Sequence, residues 1–462
     1  MKNKKDIKQR KRNAKDPEGL PVIRADAGGL DIGSREIWAC APAFGENPPK
    51  IQRFDTTTSA LEKLAQWLKE HHVGSVAMES TGVYWIPVYE ILEANGFEVL
   101  LVNARQVKGV PGRKTDVQDC QWIQKLHACG LLKGSFRPHE SICALRSIVR
   151  ELDEVVSQRS MILQKIQKSL DQMNVRVHHA VSDISGVTGM RIIRAIVSGE
   201  RDPQVLAEMR DRCCKKSESE IAEHLKGTWR EEHLFNLKMS LQLYDTLQEV
   251  IADYDGKIKE ILDKLHPGDY DDEALPKLAN KNKESLINRR GDAPMRQSLF
   301  RLHGVDLCTI DGINVGTALT IWSEMGTDWS SFATEKHFIS YVGLAPKMAI
   351  SGGKPVRGKP KRTGTTTRMA KAFRMAATTL RRSKTALGVM YRRYARIKGA
   401  SHAVFIMARM LAKLVYRMIC FGQQYVDIGM EAQEALYQKQ RLKGLENAAK
   451  SLGYNLLPME AA

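Results

Sequence analysis

Four acidic side chains and one serine are the groups in this sequence with the types and spacing to do chemistry. Asp31 lies in Gly29-Leu30-Asp31-Ile32-Gly33-Ser34. An acid in mid-strand between apolar neighbours is costly unless a cation or hydrogen-bond donors satisfy it. Glu79, in Met78-Glu79-Ser80-Thr81-Gly82, ends a second buried strand. Lys114-Thr115-Asp116-Val117-Gln118-Asp119 opens a helix with two acids at i and i+3, which face one side. Brought together, four carboxylates would hold two Mg²⁺ ions a few ångströms apart, the arrangement that serves in-line displacement at phosphorus. Asp116 and Asp119 also have a plainer reading, since first-turn acids complement the helix dipole and Thr115 can be the N-cap. Asp31 and Glu79 resist that reading because each interrupts or ends a buried strand. Ser351 opens the loop Ser351-Gly352-Gly353-Lys354, one hydroxyl among cations. A serine hydroxyl is a weak nucleophile that needs a base or a metal, and this loop holds neither His nor acid. Alone, Ser351 reads as a turn residue before two glycines.

Charge points to the partner. The chain has 71 Lys and Arg against 53 Asp and Glu. Between Tyr341 and Cys420 lie nineteen Lys or Arg and no acid, which accounts for the whole excess of +18. So concentrated a positive field implies a polyanion, because phosphate contacts release condensed counterions. Residues 2–15 add eight cations against Asp6, a tail read as disordered. The eight cysteines form no C-x-x-C pair, and buried free thiols in a reducing compartment are expected. No secretory signal is visible behind the basic N-terminus. The apolar stretch Ala403–Cys420 is cut by Arg409, Lys413 and Arg417 and does not span a bilayer.

These groups need elements to position them. From about Pro21 to Pro138, strands alternate with helices: a strand over Leu30–Ala41 with Ile51–Phe54 as its hairpin partner, a helix through Leu61, Leu64 and Leu68, a strand at Val76–Met78, a helix over Val83–Ala94 and a strand at Val99–Val102. That pattern predicts a layered α/β domain. Ile142, Val149, Val156, Leu163 and Leu170 then repeat every seven residues beside Leu145, Leu152, Ile166 and Met173, with Arg159 breaking the second column. Five heptads predict a coiled coil. A second run, Leu237, Tyr244, Ile251, Ile258 and Leu265, is its partner within the chain or in another copy, and Pro267-Gly268 stops it. The stretch between the two runs reads as polar and helical. Near Leu299 a mostly helical region begins. Its segment Asp311-Gly312-Ile313-Asn314-Val315-Gly316 has the G-h-x-h-G form of helix-joining turns that present backbone N–H groups to phosphate, or simply join helices. Amphipathic helices follow through Met369, Phe373 and Leu380, then Val404–Met418.

Taken in order, GLDIGSRE, AMESTGVYW, GRKTDVQD, TIDGINVGTA and YVGLAPKMAISGGKPVRGKPKRTG resemble insertion-sequence transposases of family 110, DEDD recombinases guided by a bridge RNA. Chain length and the long heptad region are nearer the 1111 subgroup, and the resemblance covers roughly residues 22–425. It implies a RuvC-like (ribonuclease H-like) N-terminal domain over 21–140, a coiled-coil region over 141–290 and a C-terminal transposase domain over 291–425, between tails at 1–20 and 426–462. It also implies a composite active site. Asp31, Glu79, Asp116 and Asp119 hold Mg²⁺, and Ser351 attacks the DNA phosphate to give a phosphoserine intermediate. Arg113, Lys114, Gly312, Gly316, Lys354, Arg357, Lys359, Lys361, Arg362 and Arg368 contact nucleic acid. The implied partners are donor and target duplex DNA, a non-coding bridge RNA and further copies of the chain, as a dimer or tetramer held by the coiled coil. The implied setting is a prokaryotic cytoplasm, at the nucleoid. One departure stands out. Thr363, Thr365, Thr366 and Thr367 occupy the place where relatives often keep Ser-Lys-x-Gly-Asn, which unsettles those hydroxyls but not Ser351.

Three other readings share parts of this pattern. A metal-dependent nuclease would use the same acids with water and never Ser351. An actin-like ATPase would explain GLDIGS as a phosphate loop, but a second such loop and an adenosine segment are not visible. A non-catalytic RNA-binding scaffold would leave the four acids unexplained.

Overall fold

A computed structural model describes residues 21–43, 48–80, 82–103, 107, 116–212, 214–265, 275–346, 350–351, 354–355, 367–422, 435, 438–439 and 442–455. The chain divides into two compact units between Arg137 and Pro138.

The N-terminal unit is built on one five-stranded sheet. Its strands are β1 (Ala27–Ile32), β2 (Glu36–Ala41), β3 (Lys50–Asp55), β4 (Ser75–Glu79) and β5 (Glu98–Val102), in the order β3-β2-β1-β4-β5. β1, β2 and β3 pair antiparallel, whereas β4 runs parallel to β1 and β5 parallel to β4. The single strand expected over Leu30–Ala41 is a tight hairpin: Gly33 N–H donates to Glu36 O at 2.9 Å, and Asp31 pairs with Trp38. The reversal falls in Gly33-Ser34-Arg35-Glu36, which interrupts the apolar pattern between Leu30 and Ile32 of one strand and Ile37 and Ala39 of the next. Helices α1 (Thr58–Glu70), α2 (Trp85–Ala94) and α3 (Asp116–Ala128) complete the unit.

The strands' two faces differ in side-chain size, and this decides the layering. Leu30, Ile32, Val76 and Met78 form one core with Leu61, Leu64 and Leu68 of α1 and Val88 and Leu92 of α2. Ala27, Gly29 and Asp31 point the other way along β1, as do Ser75, Ala77 and Glu79 along β4. The register pairs Ala27 with Ser75 and Gly29 with Ala77, so small residues lie side by side across this face. α3 packs there, with Ile123 against Ala77, Val102 and Val107.

The C-terminal unit is helical. α4 (Glu140–Gln172) and α9 (Glu231–Lys264) form a long antiparallel pair, with Met173 O accepting from Thr228 N–H at one end and Arg159 donating to Gln248 at 2.6 Å midway. The heptad seam is buried at Ile142, Leu145, Val149, Leu152, Ile166 and Leu170, but Val156 and Leu163 are only half-buried. The intervening stretch is less polar in effect than its composition indicates. α5 (Val177–Ala180), α6 (Val187–Ser198), α7 (Pro203–Glu208) and α8 (Glu218–His224) enclose a core of Ile192, Ile193, Ile196, Leu206, Ile221 and Leu225 against the end of the pair.

Beyond lie α10 (Lys281–Arg290), α11 (Ala293–Arg301), α12 (Val315–Met325), α13 (Glu335–Val342), the two-residue strands β6 (Ile350–Ser351) and β7 (Lys354–Pro355), α14 (Arg368–Thr379), α15 (Ala386–Lys398) and α16 (Ala400–Phe421). Trp329, Phe332, Phe338 and Tyr416 cluster at their centre, where the Tyr416 hydroxyl donates to Phe332 O at 2.6 Å. α4 is bolted to α12 by Arg150, which donates to both Glu324 carboxylate oxygens at 2.9 and 2.7 Å. The expectation of buried thiols fails at Cys420, which is exposed.

The N-terminal layering makes one residue decisive. A Cβ built on Gly29 would lie 2.3 Å from Gln124 N and 2.6 Å from Cys120 O, the backbone of α3 itself. On Gly28 its one tight contact would be a Val73 methyl at 2.9 Å, with Cys40 O and a Leu68 methyl at ordinary distances of 3.6 and 3.7 Å. Gly29→Ala is therefore expected to cost at least the roughly 1–3 kcal/mol of an overpacked core, and more than Gly28→Ala. Thermal or denaturant unfolding of the two variants measures the difference.

Candidate carboxylate site

Because Gly29 lets α3 lie directly on β1, the acids at the start of that helix arrive over the ends of β1 and β4. Asp116 and Asp119 head a stripe that continues through Cys120, Ile123, Gln124 and His127 toward the sheet. Three contacts fix it. The Gln124 side-chain amide donates to Ala27 O at 3.0 Å, His127 Nε2 lies 2.8 Å from Ser75 Oγ, and the Trp122 indole donates to Val107 O at 3.3 Å. Burial holds the His127 imidazole below its ordinary pKa, so it sits there neutral. One step past the Leu30–Met78 pair, Asp31 and Glu79 end the same face.

Asp31 records the outcome. Its carboxyl is pushed up to about 6, first by burial and then by the charges of Asp116, Asp119 and Glu79; a hydrogen bond from the Ile32 backbone opposes the rise. The four acids singled out in the sequence thus act on one another electrostatically. Asp31, Glu79 and Asp119 are half-buried and Asp116 is exposed. Among the described residues, no three His, Cys, Asp or Glu side chains are drawn together into a coordination shell. The donor set nevertheless fits a hard divalent cation, being all oxygen and carrying an excess of negative charge that raises Asp31.

Sequence reasoning missed the groups that hold this arrangement together. The glycine pair Gly28-Gly29 inside a strand was a legible signal, since such a glycine marks a close backbone approach. Gln124 and His127 carried none, because their value depends on which strand carbonyl and hydroxyl they meet.

The other expected contact residues are placed as follows. Ser351 is the last residue of β6 and pairs antiparallel with Lys354 of β7. Gly312 has φ +89°, and a Cβ there would lie 2.9 Å from Ala376 O, so only glycine fits against α14. Gly316 sits exposed in the first turn of α12, whose N-cap Asn314 accepts from Thr317 N–H at 2.8 Å. Arg368 turns to Asp153 at 3.1 and 2.6 Å and donates to Arg150 O. Thr367 caps α14, accepting from Ala370 N–H at 3.0 Å. Lys354 is described through its backbone alone, while Arg113, Lys114, Arg357, Lys359, Lys361 and Arg362 lie outside the described residues, as do Thr115, Thr363, Thr365 and Thr366. The basic window is less uniform than its charge count indicates. Lys413 and Arg417 bind Glu335, and Arg392 donates to Ser383 O at 2.6 Å.

Comparison with known families bears on the sequence readings. The DEDD transposase model of the IS110 family matches residues 28–175, which contain all four acids. A second model, described as the transposase of the IS116/IS110/IS902 family, matches residues 304–392, which contain Ser351 and Gly312. The chain carries both IS110-family transposase domains. A DNA transposase or recombinase is the activity that goes with them, DNA is the substrate, and the DEDD-type domain suggests a divalent metal. No curated protein matches the transposase significantly. Among the described residues, no helix is long and apolar enough to cross a membrane.

The raised Asp31 has a consequence for stability. Protonated Asp31 favours the folded state, a contribution that is whole below about pH 4, its ordinary range, and lost as pH rises past about 6. A rise of that size corresponds to about 3 kcal/mol, which solvent screening at this half-buried side chain reduces to roughly 1–2 kcal/mol. Without divalent cations, Asp31→Asn should therefore raise the unfolding temperature at pH 8 by a few degrees and leave it nearly unchanged at pH 4. Calorimetric scans across that range measure it.

Proposed function

We propose that this chain is an RNA-guided recombinase of mobile DNA that cuts and rejoins strands through a phosphoserine intermediate. The observation that carries the reading is the Asp31 carboxyl, raised to about 6 by burial and then by the charges of Asp116, Asp119 and Glu79, inside a domain that matches DEDD transposases. The strand order β3-β2-β1-β4-β5, with acids on β1, on β4 and on the helix covering them, supports a RuvC-like description of this unit. Asp31, Glu79, Asp116 and Asp119 would hold Mg²⁺. When bound, the metal would neutralise phosphate charge and favour the deprotonated nucleophile.

The chain's own groups do the rest. Ser351 Oγ forms the new bond to phosphorus as one bridging P–O bond breaks; the hydroxyl proton is lost and the released strand end leaves as a hydroxyl. Rejoining reverses these events at another strand end and frees the serine. Lys354, Arg357, Lys359 and Arg362 offset charge on the phosphate oxygens. Guidance by a bridge RNA rests on the motif resemblance and on the cation excess between Tyr341 and Cys420. Each chain offers one nucleophile and two duplexes need four cuts, so four copies act together. The half-buried Val155 and Val156 of α4 and Ile251 and Tyr254 of α9 support a second copy packing on this pair. Light scattering on target DNA should find a tetramer, and a monomer would count against it.

The chemistry is tested with a covalent adduct. Protein, RNA co-expressed from its own flanking DNA, Mg²⁺ and labelled junction DNA are resolved on denaturing gels. An SDS-stable protein–DNA band is expected for wild type and lost in Ser351→Ala and Asp31→Ala. Cleaved DNA without adduct, unaffected by Ser351→Ala, would make the chain a nuclease that uses water.

A further inference from the structure

A cavity of about 910 Å³ in the C-terminal unit, remote in sequence from the four acids and from Ser351, is not used by this chemistry. Its walls come from the segment 278–286, which opens α10, from the turn 308–314 and from the elbow 379–385 between α14 and α15. Its volume falls within the range of about 300–1,000 Å³ typical of pockets for small organic ligands. Leu278, Ile313 and Leu380, themselves buried, lie beneath its floor. Leu286 is 39% exposed, a large apolar side chain at the opening.

The cavity is built rather than incidental, because buried polar contacts fix its walls. Asp311 accepts from the Ser383 hydroxyl at 2.5 Å and also from the Thr385 hydroxyl, tying the turn to the elbow. Lys283 Nζ donates to Ile310 O at 3.0 Å and to Cys308 O, which ties α10 to the turn. Arg392 holds the elbow from behind through Ser383 O. Those contacts occupy the one lining acid and one of the lining cations. Lys281, Arg382 and Lys384 remain on the exposed rim, so the mouth is positive while the interior is apolar.

An apolar slot inside a ring of cations matches a flat, weakly polar ring attached to an anion. We infer that this cavity receives an unpaired nucleotide, its base against the exposed Leu286 and its phosphates at Lys281, Arg382 and Lys384. A base in a duplex would first have to be unstacked, at a cost of a few kcal/mol, so a single strand is the favoured occupant. RNA and DNA strands share this chemistry. The inference extends the nucleic-acid reading above but does not depend on serine chemistry.

The test uses the full chain and three probes: a short single-stranded RNA carrying 2-aminopurine, its DNA counterpart, and the same sequence as duplex DNA. Single strands should bind with a rise in 2-aminopurine fluorescence as the base leaves its stack, and the duplex should show none. The double variant Arg382→Ala/Lys384→Ala should bind single strands about tenfold more weakly, with duplex affinity changed less. Leu286→Asp, at a site exposed enough to keep the fold, should abolish the fluorescence change, with circular dichroism confirming the fold. A response from RNA alone assigns the strand to RNA, and an equal response from both assigns the site to either. The inference is overturned by an unchanged signal in Leu286→Asp, or by equal losses of duplex and single-strand affinity in the double variant. A wild type that responds to the strands yet forms no covalent adduct would sink the serine mechanism and leave the cavity standing.

Discussion

Everything in the candidate site depends on how closely the backbone of α3 approaches the backbone of β1. That approach exists because Gly29 has no Cβ where one would sit 2.3 Å from Gln124 N. Ala77 beside it keeps the neighbouring strand equally low, and Gln124 and His127 then hold the helix by a carbonyl of β1 and a hydroxyl of β4. Close packing alone would favour apolar residues at the helix start. Instead the helix opens with Asp116 and Asp119, above two further acids. Burial of Asp31, and then the like charges around it, oppose its ionisation, and Asp31 answers by holding its proton to about pH 6. A structural acid cluster has no reason to bear that cost, whereas a cation site does.

Cations in the C-terminal unit divide in the opposite sense. Several are spent on architecture: Arg146 and Arg150 on Glu324, Arg296 on Asp306, Arg368 on Asp153, Lys413 and Arg417 on Glu335. Arg296 and Asp306 are almost wholly buried, a pair in which losing either partner strands the other. Others, such as Arg382 and Lys384, stand exposed at the elbow between α14 and α15. A count of charge along the sequence cannot separate the two groups, because the separation depends on which helices meet.

Much of the N-terminal architecture was legible because it rests on periodicity. The strands at Val76–Met78 and Val99–Val102, the helix through Leu61, Leu64 and Leu68, and the two long helices all appear where apolar spacing places them. Asp31 and Glu79 were legible because an acid in a buried strand is anomalous. The hairpin at residues 33–35 departs from the single strand expected there, although the polar run Gly33-Ser34-Arg35-Glu36 breaks the apolar pattern at that point. The core of Ile192, Ile193 and Leu206 was not legible, because short helices in a charged stretch assemble it from sparse apolar residues. The heptads showed a helical pair but not that Val156 on its seam is only half-buried. Ser351 was legible only through its motif context, and its hairpin with Lys354 adds a backbone position rather than a chemical environment.

That four carboxylates from β1, β4 and α3 make one cation site is tested most directly by Mn²⁺ binding. Uptake by the purified chain is followed through the loss of the free ion's electron paramagnetic resonance signal. Wild type should take up Mn²⁺ in competition with Mg²⁺. Asp31→Asn and Asp119→Asn should each weaken uptake by at least about tenfold, and Gly29→Ala, which leaves all four acids in place, should weaken it too. Uptake unchanged in Asp31→Asn and in Gly29→Ala would mean that these acids do not share a cation and that the close approach of α3 serves packing alone.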